Sequence, residues 1–128
     1  MFFFPFADEN PTSKKPIISW LIIFACSSIF LNQILDPIYI TEQNFLSFGM
    51  IPAILFGHSE LSGHLKIIPP FLSIFTSMFL HGGWMHIIGN MTYLYIFGDN
   101  IEERLGKLTC IIFYIVTGGV AAFSQAII

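Results

Sequence analysis

His86 and Asn90 are the residues whose placement most needs a chemical reason. They stand four apart in Gly83–Phe97, a run that is apolar apart from them and Thr92. On a helix, four residues turn by about 40° and rise about 6 Å, so both side chains leave the same face. Polar side chains at membrane depth usually face a bundle interior or a water-filled cavity. Two chemistries fit. The pair could hydrogen-bond neighbouring helices, each contributing about 0.6 kcal/mol or more. As two neutral groups that can each present an N–H, they could also hold an oxyanion. His81 lies five residues before His86 and on an unbroken helix would point roughly 140° away. Gly82-Gly83 makes an unbroken helix unfavourable, which leaves His81 free to turn back toward the same site or to act as an interfacial histidine with its own partner.

Other chemistries are poorly supported. His81, His86 and Asn90 lack the His pair at i, i+4 and the acidic third ligand of zinc-protease helices. His58, Glu60 and His64 fall in a Gly- and Ser-containing stretch with no ligand spacing, which reads as a solvated loop. No metal or organic cofactor is expected. Cys26 and Cys110 lie inside apolar runs and read as buried free thiols. Cys26, Ser27, Ser28, Thr117 and Ser124 are nucleophiles in name only, because no Gly-x-Ser-Gly occurs and Ser124 has no base at helical spacing. Glu102, Glu103, Arg104 and Lys107 read as a charged turn. Within it, Gly106 suits a helix C-cap, and Glu102 is expected to tie down the 104–107 backbone.

The elements that must position these residues follow from composition. The chain has 128 residues, of which 55% are hydrophobic and only 10% charged. Globular domains carry roughly 25% charged residues, so a lipid bilayer is the fitting solvent. A net charge of -3 gives no basic surface for nucleic acid. Ile17–Leu35 is uncharged and about 28 Å long as a helix, close to the roughly 30 Å hydrocarbon core. It is too long for a signal peptide, and no small-x-small cleavage site follows. Fifteen residues from Gly83 reach only about 22 Å, so a second span must run on through Gly98 toward Glu103. Leu108–Ile128 is a third uncharged run, with Gly118/Ala122 and Thr117/Ala121 at the spacing that lets helices approach closely.

The expected architecture is therefore an all-α membrane protein with a leader at 1–15, spans at 16–35, 83–103 and 107–128, and an outer segment at 36–82. Of the five basic residues, Lys14 and Lys15 precede the first span and Arg104 and Lys107 separate the second from the third. By the positive-inside rule, the N-terminus and the 98–107 turn are cytoplasmic. The outer segment is too apolar for a free linker and is expected to lie in the outer leaflet interface, broken at Gly57–Glu60 and Pro69-Pro70. The leader carries an aromatic patch at Phe2, Phe3, Phe4 and Phe6. A third run that ends at Ile128 without a polar tail suggests a truncated protein.

The string TSMFLHGGWMHIIGNMTYLYIFGDNIEERLG, residues 76–106, resembles the rhomboid family of intramembrane serine proteases. HGGWMHIIGN carries the family's His-x4-His-x3-Asn, and FGDNIEERLG its Glu-x-Arg-x-Gly. DENPTSKKP and Phe48–Ala53 look like bacterial-type members, which implies a plasma-membrane location. The resemblance covers the first half of a six-helix rhomboid bundle. It implies that His86 and Asn90 are oxyanion-hole side chains and His81 a supporting residue. It also implies that Glu102, Arg104 and Gly106 fix the turn between the second and third helices. Leu72-Ser73 stands where some members carry a Trp-Arg pair. The family's nucleophilic serine and its histidine belong to the fourth and sixth helices, and these 128 residues contain neither.

The resemblance thus implies the N-terminal part of a serine endopeptidase acting on transmembrane substrates, itself proteolytically silent and completed by a C-terminal rhomboid half. The expected partners are those substrates and the lipid bilayer. Two readings from other classes are a non-catalytic module that binds client helices and a structural three-helix subunit. A binding module has no use for His86 and Asn90.

Overall fold

The computed structural model describes residues 9–128; the aromatic patch of the leader lies outside them. Among the described residues all regular structure is helical. Helix α1 is Ile17–Leu35, α2 Ile38–Phe48, α3 Pro52–Leu55, α4 Ser73–Thr76, α5 Trp84–Leu105 and α6 Lys107–Ala126. Short 3-10 turns at Gly63–Leu65, Pro70–Leu72 and Ser77–Phe79 fill out the segment between α3 and α5. The chain divides into two compact units, one of residues up to Ser28 with His81–Tyr114, the other of Ile29–Leu80 with Ile115–Ile128.

Helices α1 and α6 are each long and apolar enough to cross a membrane. The second expected span behaves differently. Helix α5 has 22 residues and does run through Gly98, reaching about 33 Å. Its polar and acidic residues dilute its hydropathy, so it counts as a third span only together with Pro70–Phe79 before it. The 36–82 segment, expected as an interfacial insert broken at Gly57–Glu60 and Pro69-Pro70, is built largely of short helices and 3-10 turns. Gly57 takes a left-handed φ of 73° after α3, and Pro70 opens the helical stretch that runs to Phe79.

In the first unit, α1 begins after Pro16, which has no side-chain acceptor for the free amides of the first turn. Glu102 supplies the acceptor. Its Oε1 accepts the Ile18 N–H at 3.1 Å, and its Oε2 accepts the Ser19 N–H at 3.0 Å and the Ser19 hydroxyl at 3.2 Å. Such bonds are charge-assisted, and the carboxylate faces the positive end of the helix dipole. Glu102 is buried, at 4% exposure, and fully occupied by these donors. This corrects the sequence-based expectation, which aimed Glu102 at the 104–107 backbone. There Gly106 makes the turn, with φ 78°, its N–H on the Glu102 carbonyl at 2.9 Å and its carbonyl accepting the Cys110 N–H at 2.9 Å. Arg104 is exposed.

The same end of α5 gathers the residues ahead of α1. Glu103 accepts the Ser13 N–H at 2.9 Å and the Ser13 hydroxyl at 2.6 Å, and Asp99 accepts the Thr12 hydroxyl at 3.1 Å. Gly98, one turn before Glu102, lets this happen: an added methyl there would lie 2.6 Å from Ser19 Oγ. Cys26 is fully buried and hydrogen-bonds with Tyr114, and Cys110 is also a buried free thiol.

In the second unit, glycines of α6 make room for the stretch before α5. A methyl at Gly118 would fall on the Met78 side chain, and one at Gly119 would press on Phe75 at 3.1 Å. Phe123 meets Phe56 edge-on, with ring centroids 6.3 Å apart. The Thr76 hydroxyl donates to the Phe48 carbonyl at 2.5 Å, and Thr41 donates to Gln33 at 2.9 Å across the α1–α2 turn.

Two outcomes are expected. Glu102→Gln replaces one accepting oxygen by an amide N–H2 facing donors that need an acceptor, and should lower unfolding free energy in detergent by about 1–3 kcal/mol. Gly98→Ala should lower it by a similar amount, about 1–3 kcal/mol, through overpacking. Adding Ser19→Ala to Gly98→Ala should recover part of that loss in thermal melts, because the clashing oxygen is gone.

Candidate functional site

The helical stretch before α5 ends at Phe79, and Leu80 turns extended. His81 follows within this break and folds inward, at 3% exposure. Helix α5 restarts at Trp84, whose N-cap Gly83 is also extended, and places His86 and Asn90 on adjacent turns. Gly82 and Gly83 have open space around them, and neither holds a left-handed conformation. Their contribution is a break without side chains to bury.

Through this break, His81 meets both later residues. Its ring stands edge-on to His86, with centroids 5.2 Å apart. Asn90 Nδ2 lies 3.4 Å from His81 Nε2, a long contact in which the carboxamide donates when the imidazole carries its proton on Nδ1. The three residues thus form one cluster, with a buried imidazole beneath two exposed polar side chains.

The exposed side of α5 extends beyond them. At 100° per residue, Tyr93 and Phe97 fall within about 20° of His86, on the same stripe. Their rings stack with centroids 5.8 Å apart, at 50% and 40% exposure. Sequence reading of the polar residues passed over this aromatic pair, although the spacing 86, 90, 93, 97 carries it. Gly98 and Glu102 are buried about 120° and 160° round the helix from His86, and Ile87 and Ile96 are buried on its two flanks. The helix therefore has one face used for packing within its unit and one face that presents two polar groups followed by two aromatic rings.

The other candidates fall elsewhere. His58 and His64 are exposed in the second unit, and among the described residues no group of three or more His, Cys, Asp or Glu could hold a metal. Ser27 and Ser124 are exposed on α1 and α6. Chemically, the cluster at the start of α5 can donate hydrogen bonds to one acceptor. The Gly-x-Ser-Gly of an acyl-transfer nucleophile is absent from the 128 residues.

Known proteins give this region a family context. The family model of the Rhomboid domain matches residues 70–128, which include the cluster, all of α5 and α6. Rhomboid-like protein 11, chloroplastic, of Arabidopsis thaliana is 36% identical over 50 residues, 39% of this chain. The matched stretch spans 18% of that relative's length. No solved structure matches.

Burial separates the cluster into parts that should respond differently. Substitution of exposed His86 or Asn90 by alanine should move stability by no more than about 0.5 kcal/mol. His81→Ala opens a hole beneath them and should cost about 1–3 kcal/mol. Thermal melts of the three variants in one detergent check this ordering.

Proposed function

We propose, for a chain with membrane-spanning helices whose residues 70–128 match the Rhomboid domain, that the cluster on α5 supplies the oxyanion-binding part of an intramembrane serine endopeptidase. The observation that carries this reading is the meeting of His81 with both His86 and Asn90. Two neutral donors on one exposed face, one of them held from below, suit a site that waits for charge to develop on a carbonyl oxygen. Side chains that only glued helices together within the unit would be buried in it.

In that reaction a serine attacks the scissile carbonyl of a transmembrane substrate as a histidine takes its proton. The electron pair of the C=O moves onto oxygen, and His86 and Asn90 hydrogen-bond the resulting oxyanion. His81 is a positioning residue: it limits the rotamers of the two side chains that touch the reacting oxygen. Collapse of the tetrahedral intermediate expels the amine leaving group, which takes up a proton from the same histidine. The serine and its base come from outside these 128 residues, so the chain alone forms no acyl intermediate. In this reading the N-terminus and the α5–α6 turn are cytoplasmic, as the positive-inside rule favours, and the cluster lies toward the opposite face.

The relative's being rhomboid-like in name leaves room for a second reading, a non-catalytic module that binds client helices on the α5 stripe. One experiment separates the two. The chain is co-expressed with a rhomboid C-terminal part bearing the serine and histidine, and cleavage of a transmembrane reporter is followed. The catalytic reading expects cleavage that falls about 100- to 1,000-fold in His86→Ala or Asn90→Ala. Cleavage undiminished in both variants would remove the oxyanion role. Reporter that co-purifies uncut, and equally with His86→Ala, would establish the binding module.

A further inference from the structure

The second unit contains a cavity of about 510 Å³ unconnected with the α5 cluster, formed wholly by the segment between Leu46 and Ser73. Its lining is mainly apolar, with the aliphatic side chains of Leu46, Ile51, Ile54, Ile67 and Ile68. Glu60 and Lys66 line the same cavity, and their side chains meet as an ion pair at 2.7 Å, 82% and 52% exposed. The volume falls within the roughly 300–1,000 Å³ usual for small-molecule sites. A mainly aliphatic lining that also carries one negative and one positive charge has a definite chemical complement, a molecule with an aliphatic body and a zwitterionic head. In a protein with membrane-spanning helices, phospholipid is the abundant molecule of that description.

We infer that this cavity binds a zwitterionic phospholipid of the phosphatidylethanolamine type, with acyl chain against the aliphatic lining and headgroup across Glu60 and Lys66. The pairing runs phosphate to the Lys66 ammonium and lipid ammonium to the Glu60 carboxylate. A solvent-exposed ion pair contributes little in water, so each partner can exchange the other for a lipid charge at small loss. The hydrogen bond and charge of Lys66 hold the Glu60 carboxyl below its ordinary titration range, which keeps that carboxylate ionised near neutrality. The chemistry discriminates among headgroups. Phosphatidylglycerol brings only negative charge and meets repulsion from Glu60. Phosphatidylcholine has the right charges but no N–H to donate to a carboxylate.

The full chain, purified in detergent, is equilibrated with equal amounts of the ethanolamine, choline and glycerol phospholipids of one acyl composition. Bound lipid is then read by native mass spectrometry. The ethanolamine lipid should be retained several-fold over the other two. Glu60→Gln should bring it down to the level of the choline lipid, and Lys66→Gln should reduce all three. Ile54→Trp, which fills the cavity, should reduce all three with the relative order of headgroups kept. Glu60 and Lys66 are exposed, so their variants decide the matter even where Ile54→Trp disturbs folding. Three outcomes would each overturn the inference: no retained lipid, equal retention of the three that neither charge variant alters, or an added apolar transmembrane peptide retained in place of lipid. None of these readouts depends on cleavage, and neither His86 nor Asn90 lines the cavity.

Discussion

Helix α1 begins directly after a proline with no side-chain acceptor, and its free amides turn to a carboxylate more than eighty residues further on. That exchange constrains the first unit. A helix start left unsatisfied is unfavourable, and so is a buried carboxylate without donors; each removes the other's penalty. The bonds have short reach and fixed direction, so they set where the C-terminal end of α5 lies against the start of α1. Gly98 allows the approach, and Glu103 and Asp99 extend it to Ser13 and Thr12. The acidic end of α5 is therefore less a solvated turn than an anchor for the chain's entry into its first span.

Anchoring one face of α5 leaves another to be used. The helix is too polar to be an ordinary span, and its polarity is unevenly distributed. Buried Glu102 accepts three hydrogen bonds from the start of α1, whereas His86 and Asn90 are exposed and meet the buried His81. Polar groups that stay exposed in an otherwise apolar helix need water, protein or ligand to bond with. The proposed oxyanion chemistry is one way to meet that need, with Tyr93 and Phe97 continuing the face as an apolar surface for a substrate segment.

The second unit solves a different problem, the folding of a long apolar segment that is not itself a span and keeps many of its large apolar side chains exposed. It folds this segment into short helices and 3-10 turns, so that backbone groups bond locally, and α6 receives side chains at its adjacent glycines. What remains open is an aliphatic hollow with charges among its lining groups, as suits a segment expected at the boundary between lipid and water.

Much of this was legible in the residues. Charge depletion set the solvent, uninterrupted apolar runs set α1 and α6, and a four-residue spacing put His86 and Asn90 on one face. Those are local properties, and helical periodicity carries them without reference to any distant partner. The motif spelling likewise placed the region among rhomboid sequences, a placement the family match over residues 70–128 supports. Tertiary structure alone decided the partner of Glu102, because a carboxylate at a helix end can serve its own turn or a distant one, and spacing says nothing of what approaches. It alone decided that His81 turns inward against both later residues, since a Gly-Gly break frees a direction without choosing it. The cavity was illegible for the same reason: a hollow is formed by what surrounds it, and Leu46, Glu60 and Ile67 become neighbours only when the chain has folded.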